Sequence, residues 1–250
     1  MSILKSSLRT ALSIALPRGV LDRAPALAGT KFMARAALDA RLRGKSFTMV
    51  NVGACDGVLF DDMTPWLRRI PGARAVLVEP VPYNRVKLRA NYPDESRFVI
   101  EPVAITRKAG RMKIKTFDVD ALESGRLPVE FVGCSSVTDT NLMSGKNAWG
   151  EEDANYSRFE PYLTDLEVDT DTFDAVMERN AITAIDVLLV DCEGADWIVL
   201  EQVDLARYRP RMVKIEVGSL GAADIGNVIV KLKTAGYSVG LYNEDVWAFA

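Results

Sequence analysis

Met49-Val50-Asn51-Val52-Gly53-Ala54-Cys55-Asp56-Gly57 is an apolar, β-rich run that opens directly into a glycine turn ahead of a helical pattern. Gly53 and Gly57 let the backbone turn sharply and let another molecule approach closely, and a helix that follows presents unpaired N–H groups. The next apolar run, Ala75-Val76-Leu77-Val78, ends in Glu79-Pro80. An acid there, about one strand–helix–strand unit after the loop, stands where a nucleotide ribose lies in such folds. Strand, turn, helix and acidic strand end read together as one cofactor site.

The missing residues narrow the choice of nucleotide. A dinucleotide turn wants G-x-G-x-x-G starting at Gly53, yet Cys55 and Val58 hold the second and third glycine positions, and Asp56 would set like charge beside a pyrophosphate. No G-x-x-x-x-G-K-[ST] follows a strand, so the lysine and hydroxyl that hold a nucleoside triphosphate and its magnesium are lacking. A cofactor with adenosine and no phosphate fits better. S-adenosylmethionine has that constitution, and its sulfonium cation suits nearby carboxylates. Two alternatives stay open: a dehydrogenase with degenerate glycines, and a sheet kept for binding or scaffolding without catalysis.

The chain contains no histidine, which excludes serine–histidine triads, histidine-ligated zinc and histidine general bases. Proton transfer falls to Asp, Glu, Lys, Tyr, Cys or water. Three cysteines, Cys55, Cys134 and Cys192, are an odd number without C-x-x-C spacing. They argue against a disulfide framework and a zinc site, and make a reducing cytoplasm the expected compartment. At 250 residues, 48% hydrophobic and 26% charged, the chain has material for one sizeable core with a small appendage. No apolar run is long enough to span a bilayer. Lys5 and Arg9 precede a short apolar run, Ala11 to Leu16, that ends at Pro17-Arg18, so secretion is not expected despite Ala26-Leu27-Ala28. The net charge of −3 hides a basic segment over residues 1–45 and an acidic one from Asp118 to Asp174. The acidic stretch reads as solvated surface and would repel phosphates, so no nucleic-acid partner is expected.

Residues 1–45 show helical spacing, with Leu8, Leu12 and Leu16 and then Phe32, Ala36 and Ala40 each four apart. They read as an appended helical cap, with a dimer contact or an anionic membrane surface as the other uses of those basic helices. From residue 46 to 250, strand-like runs alternate with helical ones: Phe47–Val52, Ala75–Glu79, Phe98–Ile100, Val187–Asp191, Met212–Val217, Tyr237–Leu241 and Val246–Phe249. Alternation of this kind predicts an α/β fold, a mostly parallel seven-stranded sheet covered by helices on both faces. The last two runs are joined by four residues only and predict an antiparallel hairpin at the sheet's end. Residues 118–169, rich in Gly, Ser, Asn and acids, predict an irregular insertion, either a lid over the substrate or a partly ordered surface loop; Trp149, Tyr156, Phe159 and Tyr162 favour the lid.

From Ser46 to Ala250 the chain resembles the FkbM-type methyltransferases, a Rossmann-like, doubly wound, class I branch of the S-adenosylmethionine-dependent enzymes. The resemblance rests on Asn51 to Gly57, Val78-Glu79-Pro80, Pro102-Val103-Ala104, Ile185 to Gly194 and Arg209-Pro210 before the strand ending in Glu216. It implies O-methyl transfer to a hydroxyl of a sugar or glycan, a polyketide or a related small metabolite. It also implies that Gly53, Ala54 and Gly57 line the methionine part of the cofactor through backbone groups, with Asn51 and Asp56 adding polar contacts. Asn51 stands where many methyltransferases place an acid. Glu79, followed by Pro80, would accept the ribose hydroxyls, or else cap a turn; Val103 and Ala104 would lie beside the adenine, or else pack the core.

Asp191, Glu193 and Glu216 should converge at the carboxyl edge, where open α/β sheets bind ligands. Asp191 is the first candidate for the base or for holding the acceptor hydroxyl and also borders the cofactor; Glu193 is the second. The competing reading has Asp191 capping the next helix and Glu193 exposed. Convergent carboxylates also suit magnesium or calcium. A metal is not favoured, because Val217-Gly218 rather than further acids follow Glu216. Acceptor identity and homo-oligomer formation stay open.

Overall fold

A computed structural model of the chain describes residues 42, 46–59, 61, 63–136, 156–242 and 244–250. The helical cap expected over residues 1–45 lies outside the described residues except for Leu42, which is buried in the core cluster that includes Phe47, Trp66 and Phe249. The first two strands, β1 (Thr48–Val52) and β2 (Arg74–Val78), flank helix α1 (Thr64–Arg69). Their near-continuous aliphatic sequence is what a parallel strand covered on both faces requires. Helix α2 (Pro82–Asn91) starts on Pro82, whose missing N–H costs nothing in the first turn. It leads to β3 (Phe98–Glu101), then β4 (Ala104–Ile105), β5 (Gly110–Phe117) and α3 (Val119–Glu123), whose start is capped by the Asp118 carboxylate accepting from the Ala121 N–H. After 3-10 turns at Val129–Val132 and Tyr156–Tyr162 come β6 (Leu163–Asp171), α4 (Phe173–Arg179), β7 (Val187–Val190), α5 (Asp196–Gln202) and α6 (Leu205–Tyr208). The chain closes with β8 (Met212–Glu216), α7 (Ala222–Thr234), β9 (Ser238–Tyr242) and β10 (Asp245–Phe249).

The main sheet has seven strands in the order β3-β2-β1-β7-β8-β10-β9, parallel except for β10, which runs antiparallel between β8 and β9. Every strand expected from the sequence is in it, and the fold is the doubly wound α/β class. Alternation divides each strand between two cores. Val50, Val52, Leu188, Val190, Val213 and Ile215 face α4, α5, α6 and α7, whereas Met49, Leu189 and Met212 share a core with Trp66, Leu67 and Leu88 of α1 and α2. The chain winds outward from β1 to β3 on one side and from β7 to β9 on the other. The strand order therefore reverses between β1 and β7, and a crevice opens at their carboxyl ends.

A second sheet, β4-β6-β5, corrects the expectation of an irregular segment over residues 118–169. The last seven residues of that segment belong to a nine-residue strand, Leu163–Asp171, antiparallel to β5. Leu166 and Val168 turn inward with Ile114, Ala104 and Val81, while the acids between them face out. Those acids stand opposite bases: Arg111 pairs with Asp169, Lys113 with Glu167 and Lys115 with Asp165 in register. Opposite charges across a ladder stabilise it by a few tenths of a kcal/mol per pair, roughly. The acidity of this stretch is thus partly a cross-strand device. Beneath it Phe117, Phe131 and Phe159 pack edge to face with ring centroids 4.5 and 4.8 Å apart. Of the aromatics named for the lid, Trp149 lies outside the described residues.

Glu101, at the end of β3, is buried and receives the Arg179 guanidinium at 2.7 and 2.9 Å. Arg179 also reaches Asp171, joining the two sheets. Removing the partner of a buried carboxylate leaves an uncompensated charge. Arg179→Met is expected to lower the unfolding free energy by about 2 kcal/mol, less than for a fully buried pair because the arginine is half exposed. Urea denaturation followed by circular dichroism checks this; an unchanged midpoint would contradict it.

Candidate functional site

The turn after β1 lies against the end of β2, with the Gly53 and Ala54 N–H groups both donating to the Val78 carbonyl at 3.0 Å. Gly53 has φ of +86°, and a Cβ there would sit 1.7 Å from the Asp191 carbonyl oxygen. Only glycine allows β1 and β7 to end this close together. Cys55 follows with φ of +49°, which aims its N–H at Glu79 Oε2, 2.8 Å away. Glu79 Oε1 accepts from the Val81 N–H at 2.8 Å and lies 3.5 Å from Asn84 Nδ2. Glu79 therefore does cap the turn into α2. Each oxygen keeps acceptor capacity beyond its backbone N–H partner, since an ionised carboxylate offers about four sites.

The turn after β7 is built around Asp196, which is 0% exposed. One of its oxygens accepts from the Cys192 N–H at 2.8 Å and the other from the Gly194 N–H at 3.0 Å. This winding puts Glu193 at φ of +49° and Gly194 at +102°. Capping of this turn falls to Asp196 rather than Asp191. Val190 pairs with Ile215, and Glu216 with Asp245, so Asp191 and Glu216 end neighbouring strands on the same edge. The Ser219 hydroxyl is hydrogen-bonded to the Glu193 carboxylate.

Between the two turns lies a cleft with about 570 Å³ of empty space, its open mouth included. The structure brings Gly53, Glu79, Pro80, Val103, Ala104, Asp191 and Glu193 together in its lining. Asn51, Ala54, Asp56 and Gly57 are not among the lining residues. Gly57 is turned toward α2, where a Cβ would meet Tyr92 and Leu88 at 2.5 and 2.6 Å. Asp56 accepts from the Val58 and Leu59 N–H groups and shapes the loop; the Asn51 amide lies 3.5 Å from Asp61. The cleft also takes in Cys55, Asn84, Ser135 and Cys192, which sequence reasoning did not assign. Ser135 belongs to a segment that closes over the cleft: Val132 accepts from Asn84 at 3.2 Å, and Ser136 Oγ donates to the Glu193 carbonyl at 2.7 Å. No local pattern announces such a segment, because its partners are distant in the chain. Asp196 did carry a signal, an acid in the first turn of a helix. A larger cavity, with about 950 Å³ of empty space, its open mouth likewise included, lies beyond Asn84, toward α3 and β6, and is lined by none of Glu79, Asp191, Glu193 and Glu216.

Among the described residues no group of three or more acids or cysteines is arranged to hold a metal ion. Residues 51–239 match the family profile of the methyltransferase FkbM domain. A methyltransferase FkbM from Methylobacillus flagellatus KT is similar in structure over 82% of this chain and 44% of its own, at 14% identity and a TM-score of 0.49. This chain thus spans less than half the length of that protein. A precorrin-6y C5,15-methyltransferase from Geobacter metallireducens GS-15 is similar over 91% of this chain and 93% of its own, at 12% identity and a TM-score of 0.40. An Aeropyrum pernix fibrillarin in complex with S-adenosyl-L-methionine is similar over 82% and 66%, at 11% identity and a TM-score of 0.39. The search of curated proteins finds no match.

Burial raises the proton affinity of the acids at this sheet edge. It pushes Glu79 and Asp196 up to about 7, Glu193 to about 8 and Glu216 to about 9, with neighbouring carboxylates adding to the last three. Asp191 is raised as well, by burial and against the opposing pull of Lys214. The Cys55 thiol is pushed up to about 12 by burial and the nearby acids, and so is no nucleophile at neutral pH. In the unfolded chain these carboxyls titrate near pH 4, roughly, so between there and about pH 9 the native state binds more protons. Their contribution to stability is fully present below the unfolded values and is lost as pH rises through the folded ones. The thermal midpoint of the unliganded protein is expected to fall from pH 6 to pH 9, and less steeply in Glu216→Gln. Scanning calorimetry across that range checks the sign; a midpoint rising with pH would refute it.

Proposed function

This chain belongs to the FkbM methyltransferase domain family, S-adenosylmethionine-dependent enzymes, and from that premise we propose that it methylates a hydroxyl oxygen of a sugar, polyketide or related small acceptor. The observation that carries the proposal is a single cleft in which Glu79 and Asp191 stand on either side of Gly53. Carboxylates suited to a ribose and to an acceptor proton thereby flank the end of β1, at the ends of β2 and β7.

Under this reading Glu79 holds the ribose hydroxyls with the acceptor capacity left beyond its backbone N–H partners. Pro80, Val103 and Ala104 form the apolar wall beside the adenine, and the Gly53 backbone borders the methionine part. Ala54, Asp56, Gly57 and Asn51 support that loop from outside the cleft. S-adenosylmethionine, when bound, supplies an electrophilic methyl group and a positive charge that the surrounding carboxylates favour. Asp191 takes the acceptor's proton, and Glu193, tied by Ser219 and by Ser136 at its carbonyl, holds the acceptor in place. The segment carrying Gly133 and Ser135 limits the access of water, so positioning and desolvation supply most of the rate. Residues 46–250 form the catalytic domain, with the segment from Val132 to Ser136 contributing its cover. No helix among the described residues is long and apolar enough to cross a membrane. Three free cysteines fit a reducing, cytoplasmic setting.

Calorimetric titration with S-adenosylmethionine and with its demethylated product tests the cofactor assignment. Glu79→Ala is expected to weaken binding about 10- to 100-fold, the loss of a hydrogen-bonded charged acceptor; unchanged affinity would overturn the ribose role. Asp191→Asn is expected to keep affinity within about threefold while lowering transfer of labelled methyl to methyl glycosides at least about 100-fold. Tight binding with no transfer to any hydroxylated acceptor would instead identify a binding protein on the same sheet.

A further inference from the structure

Strand register places a lysine directly behind the strand-end acids. Lys214 lies on β8 opposite Leu189 on one side and Trp247 on the other. Its neighbours in sequence, Val213 and Ile215, face the α4 to α7 core, so Lys214 shares the opposite face with Leu189 and Trp247. One step nearer the carboxyl edge on that same face come Asp191, Glu216 and Asp245. The Lys214 side chain is largely buried at 12% exposure, with its ammonium 3.4 Å from Asp245 and 5.8 Å from the centroid of the Trp247 ring. Both contacts fix the position of the ammonium, the second as a cation–π interaction.

Acids approach Asp191 from every element packed around it. Glu193 and Asp196 belong to its own turn, Glu216 to β8 and Glu244 to the turn between β9 and β10, with Glu79 across the cleft. Gly218 lets two of these crowd together, since a Cβ there would lie 2.6 Å from Glu216 Oε1 and 2.8 Å from Glu244 Cδ. Lys214 is the cation whose field opposes them at Asp191. An unopposed set of five neighbouring carboxylates in a desolvated cleft would leave Asp191 protonated and unable to accept a proton.

We propose that Lys214 is a positioning residue for methyl transfer: held against Asp245 and Trp247 behind the strand-end acids, it favours the ionised form of Asp191, the form able to take the acceptor's proton. The inference rests on the reading of Asp191 as that proton acceptor. It makes Asp245 a moderator, because Asp245 shares the lysine's charge and adds a negative charge of its own. The two residues therefore act on Asp191 in opposite directions.

The test needs no acceptor. Protein labelled with carbon-13 at aspartate side-chain carboxyls is titrated by NMR, the Asp191 resonance being assigned by its loss in Asp191→Asn. Lys214→Met is expected to raise the titration midpoint of Asp191 by about one pH unit or more, Asp245→Asn to lower it, and Lys214→Arg to leave it near the wild-type value. A merely structural lysine would not produce opposite shifts from the two variants, and if Lys214→Met fails to fold, Asp245→Asn and Lys214→Arg still decide. An unmoved Asp191 midpoint in Lys214→Met, or an upward shift in Asp245→Asn, overturns the inference. Methyl transfer from labelled S-adenosylmethionine to methyl glycosides separates the two claims. Asp191→Asn as active as wild type defeats the proton-acceptor reading, whatever the NMR shows of Lys214.

Discussion

Position 53 admits no side chain: its φ is +86°, and a Cβ would lie 1.7 Å from the carbonyl oxygen of Asp191. The rest of the site depends on that contact. It fixes how near β1 and β7 end, at the one place where the sheet's winding reverses. The same turn then donates two N–H groups to Val78, which brings β2 to the edge, and Cys55 adds a third to Glu79. Three strand ends are held within hydrogen-bond reach, by backbone N–H groups that donate to Val52, Val78 and the Glu79 carboxylate. The glycine that looked like a cofactor contact is first a packing device, and the cleft is its consequence.

The electrostatics of the cleft are those of a site poised for a cation. Glu79, Asp191, Glu193, Asp196 and Glu216 are drawn from three strand ends and one helix start, and burial keeps each of them more protonated than a surface acid. Such a set is unfavourable to the folded state at high pH and becomes less so when positive charge enters. Asp196 differs from the others, because both of its oxygens are taken by backbone N–H groups of its own turn. It gives that turn its shape and leaves Asp191 and Glu193 to face the cleft. Shaping the turn and lining the cleft are thus divided among acids at most five residues apart.

The second sheet shows how charge patterning can hide structure. Read as composition, the stretch from Asp118 to Asp174 is an acidic surface, but its alternation of Leu166, Val168 and Thr170 with acids is that of a half-buried strand. β5 has the complementary pattern, with Arg111, Lys113 and Lys115 alternating with Met112 and Ile114. Neither strand is apolar enough to stand out alone. Each becomes legible only opposite the other, where charges cancel across the ladder and the apolar faces cover Val81 and Ala104.

The seven strands of the main sheet, its C-terminal hairpin and the loop with its distal acid were determined by sequence, because parallel strands buried on both faces must be written as uninterrupted apolar runs and tight turns must be written with glycine. Glu79, Asp191 and Glu193 were legible for the same reason: they end such runs. Tertiary structure alone decided which loop residues face the cleft. Gly57 turned toward α2 because Tyr92 and Leu88 pack against it, and Asp56 turned back onto its own loop. It also decided that Ser135 and Asn84 close over the site and that Lys214 stands behind Asp191. Those relations join segments distant in the chain through side-chain direction and strand register, and a pattern read along one dimension carries neither.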